Sequence, residues 1–290
     1  MFQAIKVWGL RKYYRFISAR GWRGHDSDIH WGGLEIPGAA GPIHGRIYNA
    51  GAGGDRPVMV YFHGGGWVIG DLETHHPFCL ELARRCQCTV IAVDYRLAPE
   101  HPFPAAPDDC LAAVRWIADH IEDFGPSDGR LVVGGDSAGG NLSLVSCLSL
   151  DTEARGLVAG ALVLYPVVDH YAAGFPSYVE RARGQTLTSD FMHFFLDTYL
   201  AGTSADSAGE KAFPLHSTAL DTLPPTLLIT AEFDPLRDEG RAMADKLQEA
   251  GVPLHFRHFE TAAHGFACSE GPNDNYLALM ADVESWLAEL

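Results

Sequence analysis

Short apolar runs alternate with helix-like stretches along most of this 290-residue sequence. The runs predict strands, and the stretches between them repeat apolar residues at three- and four-residue spacing, which predicts amphipathic helices. Strands that are apolar throughout and separated by helices indicate an α/β fold whose mostly parallel sheet has helices on both faces. The predicted strands are 57–62, 89–95, 130–135, 158–165, 226–231 and 254–259, and the predicted helices are 76–87, 108–123, 139–150, 237–250 and 274–289.

Two parts of the chain depart from this alternation, residues 166–222 and about residues 1–40. The first contains a helix-like segment, SDFMHFFLDTYL, followed by a polar stretch of small residues. We expect one domain over residues 1–290, with both parts forming a helical cap over the carboxyl ends of the strands, where ligands bind in such sheets. Four aromatics of the cap would either line that site or pack the cap onto the body: Phe191, Phe194, Phe195 and Tyr199.

The N-terminal stretch is basic, and its Lys and Arg residues are interleaved with apolar ones, with no acid before Asp26. An amphipathic basic helix fits two roles, lying on a membrane surface or covering an active site, and we favour the second. The residues concerned are Lys6, Arg11, Lys12, Arg15, Arg20 and Arg23 among Phe2, Ile5, Trp8, Tyr14 and Ile17.

Composition narrows the choice of partners and compartment. The excess of 37 acidic over 21 basic residues, a net charge of −16, disfavours nucleic acid. No apolar run approaches the roughly 20 residues of a membrane-spanning helix, and residues 1–24 lack the compact apolar region of a signal peptide. The six cysteines lack the dense spacing of a secreted disulfide scaffold. We therefore expect a cytoplasmic protein with reduced thiols, no nucleic-acid partner and no stable membrane insertion.

The segment GDSAG at residues 135–139 lies between a predicted strand and a predicted helix. This is the structural context that the pattern G-x-S-x-G requires, because the glycines allow a turn too sharp for side chains and the turn projects the serine above the sheet. The pattern predicts Ser137 as a nucleophile.

The segment HGGGW at residues 63–67 directly follows the first predicted apolar strand. Three consecutive glycines leave backbone N–H groups unshielded, which suits a site that holds a developing oxyanion. We predict an oxyanion hole formed by the N–H groups of Gly65, Gly66 and Ala138, the residue after the nucleophile.

A serine hydroxyl needs a base to accept its proton, and the base needs a third group to orient it. In α/β folds with this type of serine turn, the acid follows one of the late strands and the histidine follows the next strand. Asp234 follows the strand TLLITA, with Glu232 and Asp238 as competing acids, and His264 follows the final predicted strand. We predict Asp234 as the orienting acid and His264 as the general base.

No metal or cofactor site is predicted. His75 and His76 are adjacent, and His255 and His258 lie on opposite faces of a strand, so neither pair presents two ligands to one ion. The chain also lacks the phosphate-binding G-x-x-x-x-G-K pattern.

The longer motifs resemble those of the hormone-sensitive-lipase-like family of esterases, and the similarity runs from about residue 35 to the end. The GDSAG sequence is similar to one subgroup of that family, and its Asp136 is expected either to support the site or to be buried beside a basic partner. The matching segments are HGGGW at 63–67, DYRLAPEHPFPAA at 94–106, GDSAGG at 135–140, DPLRDEG at 234–240 and HGF at 264–266.

The resemblance implies an α/β-hydrolase fold with a helical cap, no cofactor and a carboxylesterase that hydrolyses short- to medium-chain acyl esters through a serine acyl-enzyme. Two other interpretations stay open, an amidase or deacetylase of acetylated small molecules and a non-catalytic ligand-binding protein. The resemblance also implies a homodimer through the edge of the last strand, LHFRHF. The residues that match the family's triad and oxyanion donors are Ser137, Asp234 and His264, and Gly65, Gly66 and Ala138. Those that look like a brace beneath the HGGG loop are Asp94, Tyr95, Arg96 and Glu100.

Overall fold

The computed structural model of the protein describes residues 2–22, 29–49, 57–125, 127–183, 186–268 and 271–290. Arg23, expected in the basic N-terminal stretch, lies outside these residues, as does the side chain of Phe2. The strands are β1 (His30–Ile36), β2 (Ile43–Asn49), β3 (Val58–Phe62), β4 (Thr89–Asp94), β5 (Leu131–Asp136), β6 (Val158–Leu164), β7 (Thr226–Phe233) and β8 (Leu254–Ala263). The helices are α1 (Phe2–Gly21), α2 (His76–Cys86), α3 (Ala105–Asp119), α4 (Ala138–Ser149), α5 (Thr152–Leu157), α6 (Ser177–Glu180), α7 (Ser189–Leu200), α8 (Ala205–Ala208), α9 (Arg237–Glu249) and α10 (Asp274–Glu289).

The eight described strands form one sheet in the order β1-β2-β4-β3-β5-β6-β7-β8. The strands from β4 to β8 in this order pair in parallel, while β2 pairs antiparallel with both β1 and β4. The central strands are buried along almost their whole length, as expected for a sheet that is covered on both faces. The predicted α/β class with a mostly parallel sheet is therefore confirmed.

One boundary predicted from the sequence is wrong. Residues 30–36, assigned to the cap, form strand β1 of the sheet, and the neighbouring strand β2 was not predicted at all. These antiparallel strands lie at the edge, and β1 is largely exposed. Their segments, HWGGLEI and IHGRIYN, consequently lack the continuous apolar runs of the central strands, and such runs were the signal used to find strands.

Two hydrophobic cores lie on the two faces of the sheet. One contains buried residues of α3, α4 and α9, and the other contains buried residues of α2 and α10. The helix bounds match the predicted ones to within about three residues at most ends because each helix buries one apolar side against the sheet.

The segment between β6 and β7 carries α6, α7 and α8. Helix α7 covers the predicted SDFMHFFLDTYL stretch, and its N-terminus is capped by Thr188, whose hydroxyl accepts from the N–H of Phe191. The Tyr199 ring stacks on Trp67 with ring centres 4.2 Å apart, and Phe195 is also buried. These aromatics therefore hold α7 against the segment that follows β3.

Candidate active site

Ser137 lies in a strained turn between β5 and α4. Its backbone angles are φ 55° and ψ −117°, a region that residues with a side chain rarely occupy. The turn requires glycine on its helix side, since a Cβ at Gly139 would lie 1.9 Å from the carbonyl oxygen of Phe62. The carboxyl end of β5 and the sharp turn together raise the serine above the sheet.

Ser137, His264 and Asp234 are brought together at the carboxyl ends of the strands. The Ser137 Oγ lies 3.0 Å from Nε2 of His264, and the Nδ1 of the same ring lies 2.7 Å from Oδ2 of Asp234. The three residues are 7%, 8% and 1% exposed. This geometry allows Nε2 to accept the serine proton while the carboxylate orients the ring.

Backbone contacts hold the acid and the histidine in place. The second carboxylate oxygen of Asp234 accepts from the N–H of Leu236 at 2.9 Å, which leaves Oδ2 directed at the imidazole. The carbonyl of His264 accepts from the hydroxyl of Thr186 at 2.6 Å, and the ring of Tyr165 packs edge-on against the imidazole. The loop between β6 and β7 therefore helps to position the histidine.

The competing acids have other partners. Glu232 binds Arg181 and Arg237, and Asp238 binds Arg237 and accepts from the backbone N–H of Ser177. Burial raises the pKa of Glu232, but the hydrogen bond from Arg181 and the charge of Arg237 outweigh it and keep the pKa below its usual value. Both carboxylates thus anchor the segment after β6 to the turn after β7.

The HGGG loop brings unshielded N–H groups to the serine. Gly65 and Gly66 have φ angles of 120° and 59°, and a Cβ at Gly65 would lie 2.2 Å from the carbonyl oxygen of Ile69. Within the part of the chain that the structure describes, no backbone acceptor is found for the N–H groups of Gly65, Gly66 or Ala138. Both glycines line the same cavity as Ser137, where these donors suit an oxyanion.

Asp136 supports the loop from below. It is 3% exposed, and its Oδ1 accepts from the N–H of Gly64 at 2.9 Å and from the hydroxyl of Tyr61 at 2.9 Å. The same oxygen lies 3.1 Å from Nε2 of His75. Burial raises the pKa of Asp136, yet the charge and hydrogen bond of His75 and the hydrogen bond of Tyr61 reverse this and lower it.

The sequence did not predict that His75 contacts Asp136. It indicated His75 only as a neighbour of His76 in a pair that could not bind one metal ion. His75 and His76 are adjacent in the segment GDLETHH, and no feature of the sequence there indicates which of the two is buried. The structure separates them: His75 is buried beside Asp136, while His76 contacts Tyr48 and Arg46.

Among the described residues, one group has the geometry to hold a metal ion. The ligand atoms of His75, Asp136 and Cys268 all lie within 4.8 Å of one another, and all three residues are buried. Hydrogen bonds already use these atoms: Asp136 accepts from three donors, and the Cys268 sulfur accepts from the hydroxyl of Tyr165 at 3.8 Å. We therefore interpret the group as a hydrogen-bonded support for the loop.

The DYRLAPE segment supports the site on its other side. The Tyr95 hydroxyl donates to the carbonyl of His63 at 2.6 Å, and the two rings stack with centres 4.4 Å apart. Arg96 forms a two-fold ion pair with Asp109 on α3, which fixes the segment to the body. Asp94 has no hydrogen bond to the HGGG loop among the described contacts.

Helix α1 is attached to the same loops by two arginines. Arg11 donates to the carbonyls of Val68 and Ala98 and forms a two-fold ion pair with Glu100. Arg15 lies 2.5 Å from Asp71 and lowers the pKa of that carboxylate against the opposing effect of its burial. The basic stretch that the sequence indicated is thus a helix packed over the site.

The serine and histidine open into a cavity of about 290 Å³. Its walls are mainly apolar and come from α1 and from the segment between β6 and β7. Residues from these two parts that line it are Leu10, Tyr14, Ile17, Leu187, Phe191 and Met192. Of the four aromatics predicted for the cap, Phe191 and Phe195 line the cavity, whereas Tyr199 packs on Trp67 and Phe194 lies under the Lys6 ammonium group.

A parallel sheet with a strained serine turn, a histidine and a carboxylate in hydrogen-bonding sequence, and free backbone donors defines the class of α/β-hydrolases. The comparisons with known proteins agree with this class. The chain belongs to the α/β-hydrolase fold family, which it matches over residues 59–268. It is 43% identical to the carboxylic ester hydrolase LipN of Mycobacterium tuberculosis over 80% of this chain and 63% of LipN.

Two further proteins extend the likeness. The esterase LipI of Mycobacterium tuberculosis is 37% identical over 85% of this chain and 80% of LipI. The hyperthermophilic esterase of Pyrobaculum calidifontis superposes with a TM-score of 0.90 and 35% identity, covering 98% of this chain and 93% of that structure. The predicted resemblance to hormone-sensitive-lipase-like esterases is thereby confirmed. Among the helices that the structure describes, none combines the length and the hydropathy that a membrane span requires.

Proposed function

We propose that the protein is a carboxylesterase that hydrolyses short- to medium-chain acyl esters through an acyl-enzyme on Ser137. The observation that carries this proposal is the unbroken series of contacts from Ser137 Oγ to His264 Nε2 and from His264 Nδ1 to Asp234. Its named relatives, a carboxylic ester hydrolase and esterases, support the same reaction.

The reaction proceeds in two steps. Ser137 attacks the acyl carbon while His264 takes its proton, and the N–H groups of Gly65, Gly66 and Ala138 stabilise the oxyanion. The protonated imidazole then gives its proton to the leaving alcohol. Water, deprotonated by the same imidazole, attacks the acyl carbon, and the imidazolium returns the proton to Ser137 Oγ as the acyl–oxygen bond breaks and the acid is released.

The cavity supports a preference for small acyl groups. Its volume of about 290 Å³ lies at the lower end of the roughly 300–1,000 Å³ of pockets for small molecules, and its apolar walls suit an alkyl chain. Activity on p-nitrophenyl esters should be highest for short chains and fall for long ones. A flat profile across chain lengths would contradict this.

Two experiments test the assignment of the nucleophile and the reaction. A fluorophosphonate probe should label Ser137, identified on its peptide by mass spectrometry, and Ser137→Ala should lose both labelling and turnover. Matched ester and anilide substrates separate a carboxylesterase from the alternative amidase or deacetylase, which would cleave the anilide at a comparable rate. Retention of turnover by Ser137→Ala would exclude the proposed mechanism.

We propose that α1 and the segment over residues 166–222 act as the cap of a single domain. Support comes from Leu10 and Tyr14 on one side and Leu187 and Met192 on the other, all of which line the cavity above the serine. Both parts therefore contribute to the walls that a bound substrate would contact.

Two further proposals concern the assembled protein and its compartment. Strand β8 is the last in the sheet order and its residues 255–257 are exposed, which supports pairing of two copies along this edge. The mass in solution, measured by light scattering, tests that pairing.

The six cysteines are all buried and unpaired, which supports a reducing, cytoplasmic compartment.

A further inference from the structure

Helix α1 presents a row of apolar and basic side chains to solvent. Ile5, Trp8 and Phe16 are 62%, 64% and 57% exposed, and their spacing puts them on one side of the helix. Lys12 and Arg20 are exposed on the same side. Large apolar residues exposed together mark a surface that binds a partner. These five residues are called the outer face of α1 below.

The opposite side of the helix already accounts for its attachment to the body. Arg11 and Arg15 are held by Glu100 and Asp71, and Leu10, Tyr14 and Ile17 line the cavity. In the part of the chain that the structure describes, Ile5, Trp8 and Phe16 of the outer face belong to neither hydrophobic core. These apolar residues therefore require an explanation other than the fold.

Charge indicates what the outer face binds. Helix α1 carries five of the 21 basic residues and none of the 37 acidic ones, in a chain of net charge −16. Arg11 and Arg15 are paired with acids of the body, so the charge of the outer face comes from Lys12 and Arg20. An anionic surface would repel most of the protein and attract this helix, so it would select one orientation. Aromatic residues beside lysine and arginine are also the combination that favours the boundary between headgroups and acyl chains. We propose that the outer face of α1 docks the protein on an anionic lipid surface.

The position of the cavity fits this orientation. Tyr13 lies on α1 beside the outer face, and both Tyr13 and Phe191 of α7 line the cavity while being 62% and 36% exposed, so the cavity reaches solvent next to this helix. Docking through α1 would therefore bring the mouth of the cavity to the lipid surface, where esters that partition into membranes are concentrated. This delivery of substrate rests on the proposed function, whereas the docking itself does not.

Flotation of the full-length Ser137→Ala protein with vesicles tests the docking independently of catalysis. We expect binding to phosphatidylcholine vesicles that contain about 30% phosphatidylglycerol, weak binding to phosphatidylcholine alone, and loss of binding at high salt. The variant Lys12→Gln/Arg20→Gln should bind at least about tenfold more weakly, since each basic residue near such a surface contributes about a fivefold factor. Arg115→Gln/Lys211→Gln removes the same charge from other surfaces and should bind normally.

The apolar part of the surface has its own matched comparison. Ile5→Ser/Trp8→Ser/Phe16→Ser should lose most binding, while Leu157→Ser/Leu277→Ser, which changes apolar residues exposed elsewhere, should retain it. In the Ser137-containing protein both variants should hydrolyse a water-soluble ester at the normal rate, because none of these residues lines the cavity.

Contact between the outer face of α1 and the lipid can be measured by tryptophan fluorescence. Brominated lipids should quench tryptophan emission on binding, and Trp8→Phe should remove most of that quenching. Trp31→Phe, at a tryptophan that is 55% exposed on β1, should leave it unchanged. Absence of binding to anionic vesicles, equal binding to neutral ones, or binding that the outer-face substitutions leave intact would overturn the proposal. So would burial of this face between two copies of the chain.

Discussion

Substitution of Asp136 tests how the HGGG loop is held in place, because this carboxylate takes no part in the proton transfers of the proposed reaction. Its Oδ1 accepts from the N–H of Gly64, at the start of the loop, and the same oxygen is held by the hydroxyl of Tyr61 and lies 3.1 Å from Nε2 of His75. In Asp136→Asn the amide is neutral and one of its atoms becomes a donor. Bonds to charged groups contribute about 1.5–3 kcal/mol and neutral ones about 0.5–1.5 kcal/mol, so Gly64 loses about 1 kcal/mol of restraint and more where the amide meets a donor.

The consequence for catalysis follows from the loop's donors. Complete loss of one oxyanion donor costs about 10²–10³ in kcat. A loosened loop retains its donors in poorer positions, so we expect kcat for p-nitrophenyl butyrate to fall about 10- to 100-fold. KM should change by less than about threefold, because an interaction made mainly in the transition state affects kcat.

Asp109→Asn is the matched control. Asp109 is an equally buried carboxylate, 2% exposed, and its partner Arg96 lies in the DYRLAPE segment and makes no contact with the HGGG loop among the described hydrogen bonds. Both variants should lose thermal stability, but only Asp136→Asn should lose kcat. If the two variants lost the same stability and both kept kcat, Asp136 would be only structural and the reasoning would be refuted.

Three further predictions follow from the same structure. Asp234→Asn should lower kcat by about 10⁴, since the wrong imidazole tautomer would face the serine; Asp238→Asn, at the competing acid, should cost far less, and equal losses would contradict the assignment. Gly65→Ala should abolish ester turnover in a folded protein, checked by circular dichroism, because its Cβ would lie 2.2 Å from the carbonyl oxygen of Ile69 at a φ of 120°. Burial raises the pKa of Glu239 to about 8, so folding takes up a proton and the stability this contributes at low pH is lost as the pH rises towards that value. The free energy of unfolding by urea should be lower at pH 9 than at pH 6 by of the order of 2–3 kcal/mol, a loss that Glu239→Gln should largely lack. An equal loss in the two proteins would contradict this prediction.

Much of the sheet and the position of the serine could be predicted because their signals are local. Buried parallel strands are apolar along their whole length, as in VMVYF, and the turn around Ser137 requires glycine whatever surrounds it. The antiparallel strands β1 and β2 escaped prediction because β1 is largely exposed and β2 is fully buried at only three of its positions, so neither has such a run. The place of β2 in the sheet depends on pairing with β4, 40 to 50 residues further along, and β1 in turn pairs with β2.

The sequence by itself determined the order of serine, acid and histidine, the glycine loop, and the alternation of strands and helices. It left three acids within seven residues of one another, and only the packed turn after β7 directs Asp234 at the imidazole while Glu232 and Asp238 bind arginines. The support of the oxyanion loop by Asp136 and His75, 61 positions apart in the numbering, was likewise decided by tertiary structure. The physical reason is that side-chain partners distant in sequence are selected by burial and by the direction in which each backbone turn leaves the sheet, and neither is encoded in local spacing.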